Sequence, residues 1–315
     1  MPDASPYAEF SGTGTTSYVA SRQTAEIVNL AIRLGRPLLV EGEAGCGKTR
    51  LARAIAEELG LAGGDSFIAM TVKSTSQAKD LLYRFDALRR LQDAQDPKND
   101  AARRVYPYIE LEPLGYAIQQ GKPSVVLIDE IDKADIDFPN DLLDVLDRFE
   151  FDIEDMPRGE SDDCARVKHF ARHVGAPAGG VKPIVVITSN REKQLPEPFL
   201  RRCLYIQLDF PQDPALLAEI VQKNLLESAD QVDDQLVADA VKRFCEIRKR
   251  GQELSMHKLP ATSELVDWVR VLHWQKRDAA KIKPDELSTA DQAVLFKVRQ
   301  DIERYRTRPD AEAGQ

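Results

Sequence analysis

The fold of this chain is decided by the stretch Gly42-Glu43-Ala44-Gly45-Cys46-Gly47-Lys48-Thr49, which matches the pattern G-x-x-x-x-G-K-[ST]. In such a loop the backbone N–H groups converge on phosphate oxygens, and glycine allows the close approach this needs. Lys48 is expected to reach the β and γ phosphates, and Thr49 to offer its hydroxyl to Mg²⁺. An apolar run precedes the loop and a helical pattern follows it, which predicts a phosphate-binding turn between strand and helix. The alternative is a glycine turn that binds no ligand.

Short apolar runs alternate with helical patterns along the first two thirds of the chain. Residues 37–40 form the run before the loop, and a helical pattern lies upstream of it at 18–34. Four further runs are typical of buried strands: Phe67–Val72, Val125–Ile128, Ile184–Thr188 and Leu204–Leu208. Helix-like segments separate most of them. This alternation predicts an α/β fold with a parallel sheet covered on both faces.

The pattern changes after Pro211, where helical segments follow one another without a strand. These segments are Pro214–Leu226, Gln235–Arg250, Thr262–Arg277 and Asp291–Arg306. We therefore predict four parts of the chain: a flexible arm at 1–16, a nucleotide-binding α/β core at 17–211, an all-α domain at 212–306 and a flexible tail at 307–315. Two polar stretches inside the core, 92–104 and 155–180, are expected to be insertions.

Polar side chains follow two of the predicted strands at their carboxyl ends, where α/β sheets bind ligands. Asp129 and Glu130 follow Val125–Ile128, and the period of a strand points them apart, so they can take different roles. Asp129 is predicted to hold Mg²⁺, directly or through water, and Glu130 to polarise an attacking water, since phosphoryl transfer needs both. Asn190 is placed to hydrogen-bond the γ-phosphate and that water. Taken alone, each of these strand ends could equally be a solvated strand-to-loop transition.

Composition and charge narrow the class of protein. The 315 residues include 43 Lys+Arg and 52 Asp+Glu, a net charge of −9, which opposes a protein that coats DNA without regard to sequence. No run approaches 18 apolar residues, so no membrane insertion is expected, and the N-terminus lacks the basic and apolar regions of a signal peptide. The four cysteines are scattered and form no C-x-x-C pair, which favours the reducing cytoplasm.

Together, and in this order, the three motifs resemble those of the AAA+ ATPases. GEAGCGKT resembles their Walker A motif, VVLIDE their Walker B motif and ITSN their sensor 1. The runs IDEIDKAD, NDLLDVLDRFEFDI and SNREKQLPEPFLRRC resemble the MoxR branch of that family. The resemblance covers about residues 18–306. It implies a five-stranded αβα core, a helical lid over the nucleotide, ATP and Mg²⁺ as cofactors, and hexameric rings.

The resemblance also implies that an arginine from the neighbouring subunit completes each site. A second cation there would neutralise the phosphoryl transition state. Arg201 and Arg202 are the candidates, and Arg202 aligns better with the arginine that the family carries before its final strand. The alternative is that the two arginines form surface ion pairs.

Two positions depart from the family pattern. Glu264 occupies the place of the sensor 2 arginine at the start of a lid helix, so Arg270 or Lys258 would have to replace it. The loop after the second strand, residues 73–77, lacks the aromatic–apolar–glycine triplet that threading unfoldases usually carry. Peptide threading by that loop is therefore not expected.

The resemblance predicts a ring-forming, Mg²⁺-dependent ATPase that remodels or activates a protein partner. MoxR-like proteins are typically associated with proteins that carry a von Willebrand factor type A domain. One alternative is a nucleotide-dependent assembly switch with little turnover, which the missing sensor 2 arginine favours and the intact Glu130 and Asn190 oppose. Another is a nucleic-acid-associated NTPase motor, which the acidic charge opposes.

Overall fold

A computed structural model describes residues 6–13, 18–96, 99–157, 172–227 and 231–306. Within these ranges the strands are β1 (Leu38–Gly42), β2 (Phe67–Thr71), β3 (Tyr83–Phe85), β4 (Ile109–Leu111), β5 (Val125–Asp129), β6 (Glu150–Asp152), β7 (His173–Gly175), β8 (Ile184–Ser189) and β9 (Leu204–Leu208). The helices are α1 (Arg22–Leu34), α2 (Lys48–Glu58), α3 (Ala87–Asp93), α4 (Pro113–Gln120), α5 (Asp137–Asp141), α6 (Leu143–Arg148), α7 (Glu197–Leu200), α8 (Pro214–Glu227), α9 (Asp234–Glu253), α10 (Thr262–Trp274), α11 (Thr289–Leu295) and α12 (Arg299–Arg306).

Five strands form one sheet in the order β2-β5-β8-β1-β9. The pairs β2–β5, β5–β8 and β8–β1 are parallel, so their carboxyl ends lie at one edge. Helices on both faces leave little of the inner strands in contact with water, and all six residues of β8 are buried. The predicted α/β fold with a parallel sheet is confirmed, and so is the helical C-terminal region.

Strand register decides which polar side chains meet at the carboxyl edge of this sheet. Ile128 of β5 lies beside Ile187 of β8, and Val40 of β1 lies beside Thr188. The last residue of β5 and the residue after it therefore lie next to the end of β8. This places Asp129 and Glu130 beside Thr188 and Asn190.

The described residues form two compact units. The α/β unit contains residues 6–12, 21–41 and 51–207, and the helical unit contains 13, 18–20, 42–50 and 208–306, with the gaps given above. In the helical unit, α8, α9 and α10 pack around Trp268, which has no exposed surface. Its indole Nε1 donates to Asp291 Oδ1 at 2.8 Å, so the polar edge of the ring is satisfied inside the core.

Two short antiparallel strand pairs lie within the predicted insertions or at their borders. β3 pairs with β4, and the described residues between them form α3 and two one-turn 3-10 helices. β6 pairs with β7, which lies inside the stretch 155–180. Strands of three residues are too short to produce a periodic pattern, so the sequence indicated only polar excursions here.

The helix predicted at 291–306 is wrong in one respect, because the structure divides it into α11 and α12. The backbone of Phe296, which follows α11, is extended, with φ −113° and ψ 131°. At this break in the helix the Phe296 ring packs on the Tyr305 ring, with ring centroids 4.7 Å apart. Core packing of the aromatic ring therefore overrides a helical pattern that continues through the break.

The described part of the predicted flexible arm is packed. Phe10 is 1% exposed, its N–H donates to Asn29 Oδ1 at 2.9 Å, and Asn29 Nδ2 donates back to its carbonyl at 2.8 Å. One apolar residue in a polar segment is enough to fix it against α1. Residues 1–5 and 14–16 of the arm, and the whole predicted tail at 307–315, lie outside the described residues. No described helix is both long and apolar enough to cross a membrane.

Candidate functional site

The predicted phosphate loop follows β1 directly, and α2 begins at Lys48. Gly45 and Gly47 adopt φ values of +84° and +99°, which side-chain-bearing residues rarely reach. The Lys48 side chain is 6% exposed, and its ammonium donates to the carbonyls of Gly42 and Glu43, both at 2.9 Å. These two bonds hold the positive charge inside the curve of the loop.

Three close approaches explain why the loop needs its glycines. A Cβ on Gly42 would collide with the carbonyl oxygen of Leu208. A Cβ on Gly47 would lie 3.3 Å from the Tyr18 ring, and one on Gly45 would collide with Ser263 Oγ. Within the helical unit the loop is therefore in contact with Tyr18 and with the start of α10.

The other side chains of the loop differ in their exposure to solvent. Glu43 and Ala44 are exposed, while Cys46 and Thr49 are half-buried. Burial raises the pKa of the Cys46 thiol, so at neutral pH the group is a thiol and not a thiolate. Cys46 therefore adds no negative charge to a loop that is predicted to receive phosphates.

In the α/β unit, Thr188 connects Asp129, the predicted metal ligand, to Glu130, the predicted catalytic carboxylate. Its hydroxyl donates to Asp129 Oδ1 at 2.5 Å and accepts the Glu130 backbone N–H at 2.9 Å. Glu130 has φ +61°, a left-handed conformation that is uncommon for a residue with a side chain. No role was predicted for Thr188; the available signal was a pair of hydroxyl residues, Thr188 and Ser189, at the end of a strand that is otherwise apolar.

Both carboxylate oxygens of Glu130 accept hydrogen bonds. Asn190 Nδ2 donates to Oε1 at 3.3 Å, and Lys133 Nζ donates to Oε2 at 2.5 Å. The structure thus brings together the residues at which Walker B and sensor 1 were predicted. Lys133 was not predicted; it lies three residues after Glu130, at the end of a 3-10 turn, and its bond to that carboxylate raises its own pKa.

The loop after β8 is fixed by a buried carboxylate. Asp132 is 2% exposed, and its Oδ2 accepts the backbone N–H groups of Asn190 at 3.0 Å and of Glu192 at 2.8 Å. Between these residues Arg191 donates to Glu41 Oε2 at 3.0 Å, which ties the same loop to β1. Asn190 is therefore held from both sides over the Glu130 carboxylate.

The two candidate arginines lie just after α7 and make ion pairs within the chain. Arg202 Nε pairs with Asp147 Oδ2, and its Nη1 donates to the Pro198 carbonyl at 3.3 Å. Arg201 pairs with Glu197 one helical turn earlier. These contacts are the surface pairs of the alternative interpretation, and a role in a neighbouring subunit stays a prediction.

Glu264, at the predicted sensor 2 position, caps its own helix. Its Oε2 accepts the Ala261 N–H at 2.9 Å and the Ser263 hydroxyl at 3.1 Å. Arg270 pairs with Asp267 at 3.4 Å, one turn along α10. The backbone N–H of Lys258 donates a hydrogen bond to Asp301 Oδ2 at 3.0 Å.

The family model of the AAA domain (dynein-related subfamily) matches residues 37–203, which is more than half of the chain. No curated protein matches in sequence. The matched region contains the phosphate loop, β5 with its two carboxylates, Asn190 and both candidate arginines.

Solved structures are similar at low sequence identity. The RuvB Holliday junction branch migration motor of Thermotoga maritima is 15% identical, with 84% of this chain and 66% of that chain covered and a TM-score of 0.40. Domain III of the replication initiation protein DnaA of Thermotoga maritima is 15% identical, with 92% and 97% covered and a TM-score of 0.44. NtrX of Brucella abortus, in complex with ADP, is 17% identical, with 88% and 54% covered and a TM-score of 0.45. The present chain thus spans about two thirds of that RuvB chain's length.

Proposed function

The chain belongs to the AAA domain family, in its dynein-related subfamily, and we propose that it is a Mg²⁺-dependent ATPase whose hydrolytic residue is Glu130. Family membership makes it a P-loop NTPase of the AAA+ type, with nucleotide-dependent activity. The proposed role of Glu130 in hydrolysis rests on the hydrogen bond that Asn190 Nδ2 donates to Glu130 Oε1 at 3.3 Å. A carboxylate and an amide side by side at the end of a strand can orient a water molecule and draw on its proton.

In this proposal the loop 42–49 binds the phosphates of ATP. Its backbone N–H groups and the N-terminus of α2 face the negative charge, and Lys48 exchanges its bonds to the loop carbonyls for bonds to phosphate oxygens. The Thr49 hydroxyl and the Asp129 carboxylate are hard oxygen donors of the kind that suit Mg²⁺. When bound, the metal ion would neutralise charge that develops on the β and γ phosphates.

Thr188 and Asp132 keep the hydrolytic pair in place. Thr188 fixes the backbone of Glu130, and Asp132 fixes the backbone of Asn190, so the two side chains approach each other without large rearrangement. Preorganised groups of this kind need little reorganisation during the reaction. Lys133 compensates the charge of Glu130 in the structure.

We further propose that the chain works as a ring, hexameric as in the MoxR branch, with Arg202 acting on the neighbouring subunit's nucleotide. AAA+ proteins typically assemble into oligomers, and Arg202 has its guanidinium at the surface beside Asp147, with Arg201 as the second candidate. The ring would remodel or activate a protein partner in the cytoplasm, with a von Willebrand factor type A domain protein as the first candidate. The resemblance of IDEIDKAD and LPEPFLRR to the MoxR branch supports this assignment.

The test is phosphate release from MgATP by the full chain, measured over a range of protein concentrations. Turnover per subunit should rise with concentration as rings assemble. Glu130→Gln should lower turnover at least about a hundredfold, because a general base contributes roughly that much. Glu154→Gln, at an exposed carboxylate elsewhere in the same unit, is the matched control and should behave as wild type. Equal turnover in wild type and Glu130→Gln would remove the assignment.

A nucleotide-dependent assembly switch is the second candidate, and one observation favours it. Glu264, and not an arginine, stands at the start of α10, where its carboxylate caps its own helix. A switch would bind MgATP and assemble without releasing phosphate at any protein concentration. The same assay, combined with light scattering, distinguishes this behaviour from hydrolysis.

A further inference from the structure

Arg248 is a buried cation in the helical unit. It lies on α9, is 6% exposed, and its guanidinium stands 3.6 Å from the centroid of the Phe210 ring. Its Nη1 donates to the carbonyl oxygen of Pro260. Burying a charge is costly unless other charges or hydrogen bonds compensate it, so the contacts of this side chain indicate what it is placed to do.

The carbonyl that Arg248 binds begins the segment 260–264, which contacts the phosphate loop. Ser263 lies so close to Gly45 that a Cβ on the glycine would collide with its hydroxyl, and Ala261 Cβ would be 3.2 Å from that Cβ. All of these residues belong to the helical unit. Arg248 therefore holds the chain segment that covers Gly45.

Two carboxylates act on the Arg248 guanidinium. Burial lowers the pKa of Arg248, and the negative charges of Glu43 and Glu264 oppose that effect. Glu43 lies in the phosphate loop itself, and Glu264 caps the helix that begins beside it. Carboxylates in these places repel a polyphosphate, so a nearby cation that compensates them favours its binding.

We propose that Arg248 is a positioning residue for the nucleotide: it seats the segment 260–264 on the phosphate loop and compensates the charges of Glu43 and Glu264. The ligand class is a nucleoside di- or triphosphate, and the inference rests on the proposed phosphate-binding role of the loop. Arg248 acts from α9, and so the helical unit contributes a cation although no arginine stands at position 264.

The experiment measures the affinity of the full chain for MgADP by titration calorimetry, which requires no hydrolysis. Arg248→Met should weaken binding about tenfold, equivalent to about 1.4 kcal/mol. The double variant Arg248→Met/Glu43→Gln should bind MgADP more tightly than Arg248→Met. It should regain at least about a third of the lost binding free energy, because one uncompensated charge is removed. Glu43→Gln in the wild-type background should raise the affinity less, because Arg248 already compensates that charge, whereas a purely structural arginine would give the same gain in both backgrounds.

Arg243→Met is the matched control. Arg243 lies on the same helix and, like Arg248, donates to a backbone carbonyl, that of Ala280 at 2.8 Å. It also donates to Glu246 at 2.8 Å, and neither partner belongs to the phosphate loop or to the segment that covers it. Its loss should leave MgADP affinity unchanged. If circular dichroism shows that Arg248→Met does not fold, the variants Arg248→Lys and Arg248→Gln take its place. The lysine variant retains the positive charge and should bind MgADP more tightly than the glutamine variant.

The outcomes separate this inference from the proposed function. Wild-type affinity in folded Arg248→Met, equal losses in Arg243→Met, no rescue by Glu43→Gln, or equal affinities of the lysine and glutamine variants would each overturn the inference. None of these results would change the proposed role of Glu130, which the hydrolysis assay tests. A wild-type chain that binds no MgADP would overturn both.

Discussion

At the scale of single residues, the geometry of the predicted hydrolytic site depends on one hydroxyl. Thr188 has no exposed surface, and its oxygen both donates to Asp129 and accepts from the Glu130 backbone. A left-handed backbone at a residue such as Glu130 costs on the order of 1 kcal/mol or more, and it persists where neighbouring bonds fix it. The hydroxyl therefore stabilises the conformation that presents Glu130 to Asn190.

Thr188→Val should separate the two roles of this residue, because valine keeps the shape and removes the hydroxyl. We expect stability to fall by about 1–3 kcal/mol, since a buried N–H and a carboxylate each lose a partner. Turnover of MgATP should fall while MgADP affinity changes little. Urea unfolding and steady-state kinetics measure the two effects.

Thr188→Ser is the control, because it retains the hydroxyl and should retain most of the turnover. A valine variant that hydrolyses ATP at the wild-type rate would show that this hydroxyl does not position Glu130.

At the scale of elements, the start of α11 is held by a charged network inside the helical unit. Asp291 has no exposed surface and accepts hydrogen bonds from Arg277, Trp268 and Ser288. Burial alone would raise the pKa of Asp291, but these bonds and the Arg277 charge hold it below its usual value. The network links α10 to α11 and closes the core around Trp268.

This depressed pKa predicts how stability depends on pH. The network contributes fully above the pKa of Asp in the unfolded chain, about 3.9, and its contribution is lost as the pH falls through the lower pKa of the folded state. Asp291→Asn should therefore destabilise the protein at pH 7 by about 3 kcal/mol, since it breaks a buried pair. The difference from wild type should shrink below about pH 4. Urea unfolding at several pH values measures it.

Asp278→Asn is the control for this experiment. Asp278 also has a lowered pKa, because Lys281 and the Ala280 N–H bond to it, but its side chain is half exposed. Its substitution should have a smaller effect at pH 7. A constant difference between Asp291→Asn and wild type across the pH range would contradict the assigned pKa.

The elements that the sequence revealed are those whose signals are local. An apolar run, a glycine loop and a helical period predicted the five strands of the sheet and the turn between β1 and α2. The roles of Thr188 and Asp132 needed knowledge of which strands are neighbours and in which register, which no local pattern contains. The role of Lys133 depended on a 3-10 turn of three residues, which is too short to produce a periodic pattern. The break at Phe296 was missed because a helical period says nothing about a ring that packs on Tyr305.

At the scale of the whole molecule, the proposed ring would share each active site between two subunits. Arg202 pairs with Asp147 at the surface of its own chain, an exposed pair that is worth little and can be exchanged for a phosphate contact. Arg202→Ala should therefore lower turnover strongly while MgADP affinity is retained. Phosphate release and calorimetry measure the two quantities.

A mixing experiment tests whether the arginine acts on the neighbouring subunit. Neither Arg202→Ala nor Glu130→Gln should hydrolyse ATP well alone. Their mixture should recover turnover, because some sites then combine an intact Glu130 with an intact Arg202 from the next subunit. If the mixture stays as inactive as its components, the shared-site model fails for Arg202, and the same experiment with Arg201→Ala then decides the other candidate.

We propose that the loop 42–49 binds ATP and that Glu130 is required to cleave it. Single-turnover analysis tests this most directly: labelled MgATP is mixed with an excess of protein, and the bound nucleotide is identified over time. We predict that the wild-type chain converts bound ATP to ADP, whereas Glu130→Gln binds ATP equally well and retains it unchanged. Conversion at the wild-type rate by Glu130→Gln would remove the assigned role of Glu130, and no ATP bound by either chain would remove that of the loop.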